Sequence, residues 1–128
     1  MTDPRQGATE VYKIVRFEAA HRLPNVGEDH KCFRLHGHSY VVELHVQGDV
    51  DPHSGMVQDY AHIKAAWSPL YDELDHRYLN DIPGLENSTS EILARFIFDR
   101  LKDALPLLNR VVVRETCTAG SSYGVVQP

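Results

Sequence analysis

The sequence predicts an α+β fold in which four antiparallel strands and two helices follow one another in the order ββααββ, with both helices on one face of the sheet. Segments rich in β-branched and aromatic residues lie towards both ends of the chain, and two stretches with apolar residues at three- and four-residue spacing lie between them. The chain has 128 residues, of which 42% are hydrophobic and 24% charged, as in ordinary globular domains. We therefore expect a flexible polar lead-in over residues 1–9 and a single domain over residues 10–128.

The first two predicted strands run over residues 11–21 and from about His38 to Gln47. Apolar and polar side chains alternate in the second strand, which is typical of a sheet with one face in water. The apolar face comprises Tyr40, Val42, Leu44 and Val46, and the polar face comprises Glu43, His45 and Gln47.

Two helices are expected between the strands. Asp59 opens the first helix, and Pro69 inside its apolar pattern is expected to kink or interrupt it. The second helix begins with a capping box, in which Ser88 is the N-cap and Glu91 stands three residues further on. Pro106 is expected to end this helix.

The last two strands are predicted over residues 111–118 and 122–126, with a turn at Ala119 and Gly120 between them. A small sheet of this kind has an open edge on each side. Because exposed edges are usually paired or covered, we expect an oligomer in which sheets join edge to edge.

Charge, hydropathy and cysteine content limit the possible partners and compartments of the protein. The net charge of −5 argues against nucleic acid as a partner, since phosphate backbones attract basic surfaces. No apolar run approaches the length of a membrane span, and the first ten residues lack the apolar core of a signal peptide. Two cysteines in such a chain predict free thiols in a reducing cytoplasm, with a disulfide between Cys32 and Cys117 as the alternative.

The most informative stretch is Cys32–His38, which holds one thiol and two imidazoles ahead of the second strand. Because side chains alternate along a strand, His36 and His38 point to the same face. His21 ends the first strand, and antiparallel pairing places that end beside the start of the second. The sequence therefore predicts that three imidazoles meet at one end of the ribbon. Three histidines without a fourth protein ligand are typical of a catalytic zinc with one open position.

A thiol beside such a site, here that of Cys32, is a candidate base or nucleophile. Basic residues lie near it in the sequence: Arg22 follows His21, and Lys31 and Arg34 flank the cysteine. An acidic chain can therefore keep a local basic pocket that suits a small anionic substrate. We predict that Lys31 and Arg34 help to hold the anion or to keep the thiol ionised.

Five motifs occur in order along the chain: Phe17-Glu18-Ala19-Ala20-His21-Arg22-Leu23, Cys32-x3-His36-Gly37-His38, Leu74-Asp75-His76, Glu86-Asn87-Ser88-Thr89-Ser90-Glu91 and Val113-Arg114-Glu115-Thr116. Through them the chain resembles the 6-pyruvoyltetrahydropterin synthase family over nearly all of residues 17–123, and most closely its bacterial 6-carboxytetrahydropterin synthase branch. The resemblance implies the tunnelling fold (T-fold), in which ββααββ subunits join into an oligomeric barrel and stack as a homohexamer, a dimer of trimers.

The resemblance also implies residue roles at the predicted metal site. His21, His36 and His38 match the family's zinc ligands, and Cys32 matches its proton-abstracting thiol. The residue types agree with these roles, because zinc can acidify the hydroxyls of a bound substrate and a nearby cation favours a thiolate.

Further site residues follow from the same resemblance. Asp75 and His76 match a catalytic pair that reaches the thiol from a neighbouring subunit, and Glu115 matches the residue that grips the guanidine-like edge of the pterin. The family places additional substrate recognition at Thr89, Ser90 and Glu91. The capping box explains Glu91 without any ligand, so both interpretations stay open for that residue.

The reaction implied by the resemblance converts 7,8-dihydroneopterin triphosphate to 6-carboxy-5,6,7,8-tetrahydropterin, with release of acetaldehyde and triphosphate. It is an early step towards queuosine and other deazapurines. The closest alternative is 6-pyruvoyltetrahydropterin synthase, which eliminates triphosphate and keeps every side-chain carbon. An alternative from another class is a non-catalytic protein that binds zinc or a pterin.

Overall fold

The computed structural model describes residues 7–125. A five-stranded sheet carries two α-helices, and two short 3-10 turns, Lys31–Phe33 and Leu79–Asp81, lie in the connections. The elements in chain order are β1 (Thr9–His21), β2 (His36–Gly48), α1 (Tyr60–Leu74), β3 (Arg77–Tyr78), α2 (Ser90–Leu101), β4 (Leu108–Arg114) and β5 (Gly120–Gly124). The strand order across the sheet is β3-β1-β2-β4-β5. No helix within residues 7–125 combines the length and apolarity that a membrane crossing requires.

The predicted α+β class is confirmed, with one correction to the sheet. Besides the four antiparallel strands, β3 pairs in parallel with β1 at Ala19 and Ala20, so the sheet is mixed. Two residues are too few to show the alternation by which a strand is recognised in sequence, which explains why β3 was not predicted.

A long ribbon of β1 and β2 forms the centre of the sheet. Every residue of β1 has a partner in β2, from Thr9 opposite Gly48 to His21 opposite His36. The end of one strand therefore lies beside the start of the other, as the sequence predicts.

The core lies between one face of this sheet and the two helices. Tyr40 and the alternate residues that follow it in β2 are fully buried, and the ring of Phe17 stacks on Tyr40 with centroids 4.8 Å apart. The helices contribute their apolar stripes to the same core, through Ile63, Trp67, Leu70, Leu74, Leu93, Ile97 and Leu101.

The other sheet face is less exposed to solvent than the alternating pattern predicts. Glu43 and His45 are only 9% and 5% exposed. The two ring nitrogens of His45 lie 2.6 Å from Glu10 Oε1 and 2.8 Å from Glu43 Oε1, while Arg110 pairs with Glu10 and Arg114 with Glu43. The charged side chains cover one another across neighbouring strands, so this face is a partly buried ion-pair lattice.

The start of α1 agrees with its prediction. Asp59 is the N-cap and its carboxylate accepts a hydrogen bond from Ala61 N at 2.8 Å. The expected interruption at Pro69 is wrong, because the helix runs through it to Leu74.

The ends of α2 differ from the prediction. Thr89, and not Ser88, is the N-cap, since its hydroxyl accepts from Ile92 N at 3.2 Å. The helix ends at Leu101, before the predicted stop at Pro106.

The last two strands are shifted towards the N-terminus of the chain. The predicted ranges 111–118 and 122–126 correspond to Leu108–Arg114 and Gly120–Gly124. The final predicted strand residue, 126, lies outside the described residues, as do residues 1–6 of the predicted lead-in.

Candidate metal centre and active site

Three histidines meet at the end of the β1–β2 ribbon. One ring nitrogen from each of His21, His36 and His38 lies within 4.8 Å of the other two. His21 is 1% exposed, and the other two rings are partly buried. The register explains the convergence, because His21 is directly opposite His36 and His38 follows one strand repeat later on the same face.

Backbone carbonyls hold the outer nitrogens of these rings. The Nδ1 atom of His21 lies 2.8 Å from Ser88 O, and that of His36 lies 2.7 Å from Arg34 O. The backbone of Glu115 lies close to the ring of His38. Because a carbonyl only accepts, Nδ1 of His21 and of His36 must carry the proton, and Nε2 keeps its lone pair for a metal.

The surroundings favour neutral imidazoles. Burial lowers the pKa of His21 to about 4, and the neighbouring His36 and His38 add to this effect against the hydrogen bond to Ser88. Burial also lowers the pKa of His38, although the charge of Glu115 opposes the shift. Neutral imidazole is the form that binds metals, so this donor set fits a metal ion.

Tyr40 lies beneath the cluster. Its hydroxyl is 3.3 Å from Nδ1 and 3.4 Å from Nε2 of His21, and its ring packs edge-on against His38 at a centroid distance of 5.3 Å. Burial, followed by the nearby charge of Glu115, raises the pKa of Tyr40. The phenol is therefore neutral and forms the floor of the site.

Cys32 lies outside the histidine cluster, in the 3-10 turn that precedes β2. Its carbonyl accepts from Leu23 N at 2.8 Å, and its amide donates to Nδ1 of His30 at 3.0 Å. Both Cys32 and Cys117 are free thiols, so the alternative disulfide between them is not formed. Cys32 is partly buried, whereas Cys117 is exposed.

Asp75 and His76 form a hydrogen-bonded pair at the C-terminal end of α1. Asp75 Oδ2 lies 2.6 Å from Nδ1 of His76, and Asp75 Oδ1 accepts from the amide of Glu18 at 2.8 Å. The Glu18 amide, followed by the His76 ring, lowers the pKa of Asp75, which therefore stays ionised. The backbone of His76 has a φ of 58° and its side chain is 79% exposed.

This pair lies next to β1, because the amide of His76 donates to Glu18 O. His76 lines a cavity of about 510 Å³ together with Glu18, Ser39 and His38, and the Ser39 hydroxyl donates to the Glu18 carboxylate at 2.7 Å. Glu18 and Ser39 alternate with Ala19 and His38 along their strands, and so they point away from the helix-covered face. Within one chain the three histidines converge, and His76 is not one of their group but shares a cavity with His38.

Glu115 lies close to His38, although it does not belong to a strand as predicted. It lies just beyond the end of β4, and not within a strand, with its amide bonded to Ala119 O at 3.1 Å. Its charge acts on both His38 and Tyr40. A carboxylate therefore lies at the edge of the candidate metal centre.

The start of α2 also adjoins the centre, through Ser88. The next residues make contacts within the chain: Thr89 caps the helix, and Ser90 Oγ lies 3.1 Å from Glu91 and 2.6 Å from Ser121 Oγ. The Glu91 amide, followed by Ser90, lowers the pKa of the Glu91 carboxyl.

Several residues that position the site were not predicted from sequence. Ser88 was predicted as a helix cap and proves to be a partner of His21. Tyr40 could have been found, because strand alternation puts it on the same face as His38. Arg22 belongs to the first motif, but its contacts with Asn80 and Phe33 emerge only from the folded chain.

Comparison with known proteins gives the family. The sequence profile described as 6-pyruvoyl tetrahydropterin synthase matches residues 10–125. A 6-carboxy-5,6,7,8-tetrahydropterin synthase of Synechocystis sp. is 45% identical over 119 residues, covering 88% of this chain and 91% of that protein. The human 6-pyruvoyl tetrahydrobiopterin synthase is 34% identical over 128 residues, covering 88% of each.

A solved structure agrees with the sequence comparisons. The 6-pyruvoyl tetrahydropterin synthase of Caenorhabditis elegans superposes with a TM-score of 0.84 at 33% identity, covering 92% of this chain and 96% of that one. Both the sequence and the T-fold architecture are thus shared over almost the full length compared. The chain belongs to the 6-pyruvoyl tetrahydropterin synthase family.

Proposed function

We propose that the chain is a zinc-dependent carbon–carbon lyase, a 6-carboxy-5,6,7,8-tetrahydropterin synthase acting on 7,8-dihydroneopterin triphosphate. The products are 6-carboxy-5,6,7,8-tetrahydropterin, acetaldehyde and triphosphate, and a water molecule balances the equation. The proposal places the protein at an early step towards queuosine.

One observation carries the proposal: three imidazoles converge within 4.8 Å, and the Cys32 thiol is free and is not part of their group. A structural zinc site usually uses a fourth protein ligand, whereas a catalytic site keeps one position open for water or substrate. The similarity to the Synechocystis protein named for this activity supports the choice of reaction.

In this proposal, His21, His36 and His38 hold zinc. When bound, the metal would lower the pKa of the substrate's side-chain hydroxyls and hold them in place. The carbonyls behind His21 and His36 fix both rings with Nε2 directed into the cluster, so the chain needs little rearrangement to bind it.

Proton transfer is assigned to Cys32 and to the Asp75–His76 pair. Cys32 removes the proton from the side-chain carbon next to the pterin ring. Asp75 orients His76, whose Nε2 is free to donate or accept a proton because Nδ1 is engaged by the carboxylate. Triphosphate leaves, and the side chain then breaks between its first two carbons.

Substrate recognition is assigned to Glu115 and the start of α2. The Glu115 carboxylate pairs with the guanidine-like edge of the pterin, and its position beside His38 keeps the ring close to the metal. Thr89, Ser90 and Glu91 contribute from the helix start. Glu91 serves first as a local partner of Ser90 in the free protein.

The proposed assembly is a homohexamer in a reducing compartment, the cytoplasm. The support for a shared site is that the His76 side chain is 79% exposed at an open cavity, where a neighbouring subunit could reach it. A neighbouring subunit would supply the missing pair, and a reducing environment would keep the Cys32 thiol free.

The alternative within the family is 6-pyruvoyl tetrahydropterin synthesis, which the 34% identity to the human enzyme supports. Metal-loaded protein is incubated with 7,8-dihydroneopterin triphosphate, and the pterin and acetaldehyde are measured. We expect one acetaldehyde per triphosphate and a 6-carboxy product. Triphosphate without acetaldehyde, together with a pyruvoyl product, would establish the alternative.

The same assay tests a non-catalytic role. Cys32→Ala should abolish turnover and leave metal content unchanged, while Cys117→Ser, which removes the exposed thiol, serves as the matched control. Normal turnover by Cys32→Ala would contradict the assigned chemistry.

A further inference from the structure

Arg22 follows the candidate ligand His21 and reaches across to the turn that carries Cys32. Its guanidinium carbon lies 4.6 Å from the centroid of the Phe33 ring, and its Nη1 donates to Phe33 O at 3.4 Å. A planar guanidinium can stack on a ring and donate from its edge at the same time, which a lysine ammonium cannot do. Arg22 therefore grips Phe33, the residue next to the thiol, in two ways.

The backbone of Arg22 is itself anchored. Its amide donates to Asn80 Oδ1 at 3.0 Å, and its carbonyl accepts from Asn80 Nδ2 at 2.8 Å. The same Asn80 nitrogen also donates to Glu86 O at 3.1 Å. Asn80 belongs to the turn Leu79–Asp81, so Arg22 is fixed to a segment other than the one it grips.

The turn that carries Cys32 has few other connections to β1. Its remaining backbone bonds are local, and Leu23 N to Cys32 O at 2.8 Å ties it to the segment that follows β1. The connecting loop, residues 24–31, contributes no buried apolar side chain to the core. Apart from the chain that leads into β2 and the bond from His36 Nδ1 to Arg34 O, the contacts that hold Cys32 near the end of β1 come from two adjacent residues, Arg22 and Leu23.

We propose that Arg22 is a positioning residue, which holds the Cys32 thiol beside the histidine cluster by clamping Phe33. The proposal rests on the catalytic role proposed for Cys32. A reacting group displaced by about 1 Å can lose on the order of a hundredfold in rate. The clamp should therefore act on the chemical step, and the affinity for substrate and metal should be little changed.

The test compares Arg22→Met, Arg22→Lys and Phe33→Leu with wild type, and uses Arg95→Met, an exposed arginine of α2, as the matched control. Hydrogen–deuterium exchange of peptides within residues 22–34 reports the clamp without reference to activity. Metal content, kcat and KM are measured on the same metal-loaded samples. Phe33→Leu keeps the arginine and Arg22→Met keeps the ring, so the result does not depend on one variant folding well.

We expect Arg22→Met and Phe33→Leu to speed exchange in residues 22–34 and to lower kcat by about tenfold or more, with KM and metal content nearly unchanged. Arg22→Lys should recover part of kcat. Faster exchange with normal kcat would overturn the positioning role, and so would a loss of kcat with unchanged exchange, which would indicate that charge alone matters. If wild-type protein makes no pterin product, the proposed function fails, while the exchange data still decide whether the clamp exists.

Discussion

At the scale of single residues, backbone carbonyls decide which nitrogen of a histidine can face a metal. Ser88 O and Arg34 O each accept from an Nδ1 atom and so turn the Nε2 atoms of His21 and His36 inward. Fixed tautomers reduce the cost of assembling the ligands, and such outer partners are usually worth ten- to hundredfold in affinity. The metal affinity should therefore fall when any one of the three imidazoles is removed.

We predict that His21→Ala lowers zinc affinity by at least about a hundredfold, because it removes one of three ligands. Competition with a chromophoric chelator measures this without any enzymatic assay. His62→Ala, which removes an exposed histidine of α1, is the matched control and should bind normally. Equal zinc affinity in His21→Ala and wild type would contradict the assignment.

The convergence of the three histidines could be predicted from sequence, because strand alternation and antiparallel pairing are local rules. Their carbonyl partners could not. His21 and Ser88 are 67 residues apart, and nothing in either local pattern indicates the contact. The contact of Arg22 with Phe33 could not be predicted either, because an arginine after a strand has no preferred partner until the turn at Phe33 folds against it.

At the scale of elements, two neighbouring residues at the start of α2 have different roles: one caps the helix and the other contacts the histidine cluster. Thr89 caps the helix, whereas Ser88 is fully buried beside His21. Several serines and threonines in a row offer more than one N-cap, and tertiary contact with the histidine ring decides between them. The predicted capping box was therefore wrong by one residue.

Thr89→Ala should destabilise the protein by about 1 kcal/mol, because Ile92 N loses its acceptor. A fall of about 4 °C in the melting temperature at fixed protein concentration is expected. Thr118→Ala changes an exposed threonine of the β4–β5 turn and should leave the temperature unaltered. Identical melting of the two variants would argue against Thr89 as the cap.

The ion-pair lattice on the open sheet face links β1, β2 and β4, and its contribution to stability depends on pH. Burial opposes ionisation of Glu10, but hydrogen bonds from His45 and Arg110 outweigh it and keep the Glu10 pKa below its usual range. A carboxyl with a depressed pKa stabilises the fold above its unfolded pKa, and this contribution is lost as the pH falls through the lower, folded value.

Glu10→Gln should accordingly reduce the free energy of unfolding at pH 7 by about 1 kcal/mol or less, and the difference from wild type should shrink as the pH falls below about 4.5. Denaturant titrations in the presence of a chelator measure this without interference from metal loss. Glu28→Gln, in an exposed loop, is the control. A difference that stays constant or grows on acidification would exclude the connection.

The ends of the strands are predicted less well than their centres, because short segments show too few repeats of the residue pattern. The helices and long strands have enough periods to be recognised, but β3 has two residues and β4 stops before Glu115. Apolar alternation continues through Cys117 in the sequence, yet the chain turns after Arg114, because Glu115 and Thr116 bond back to Ala119. That turn places Glu115 beside His38.

At the scale of the whole molecule, each chain presents a histidine cluster and an exposed Asp75–His76 pair. The three histidines meet at the end of the β1–β2 ribbon, and His76 lines a cavity that also includes His38. In the proposed mechanism, His76 of one subunit meets the histidine cluster and Cys32 of another. An oligomer would then be needed for catalysis and not only for stability.

The most direct test is complementation between two inactive chains. Cys32→Ala lacks the thiol and His76→Ala lacks the proton partner, so oligomers of either variant alone should be inactive. In mixed oligomers from co-expression in equal amounts, about a quarter of sites would combine an intact thiol with an intact His76 from another subunit. We predict acetaldehyde release at about a quarter of the wild-type rate. Mixed oligomers that stay inactive, although both variants fold and bind metal, would contradict the shared site.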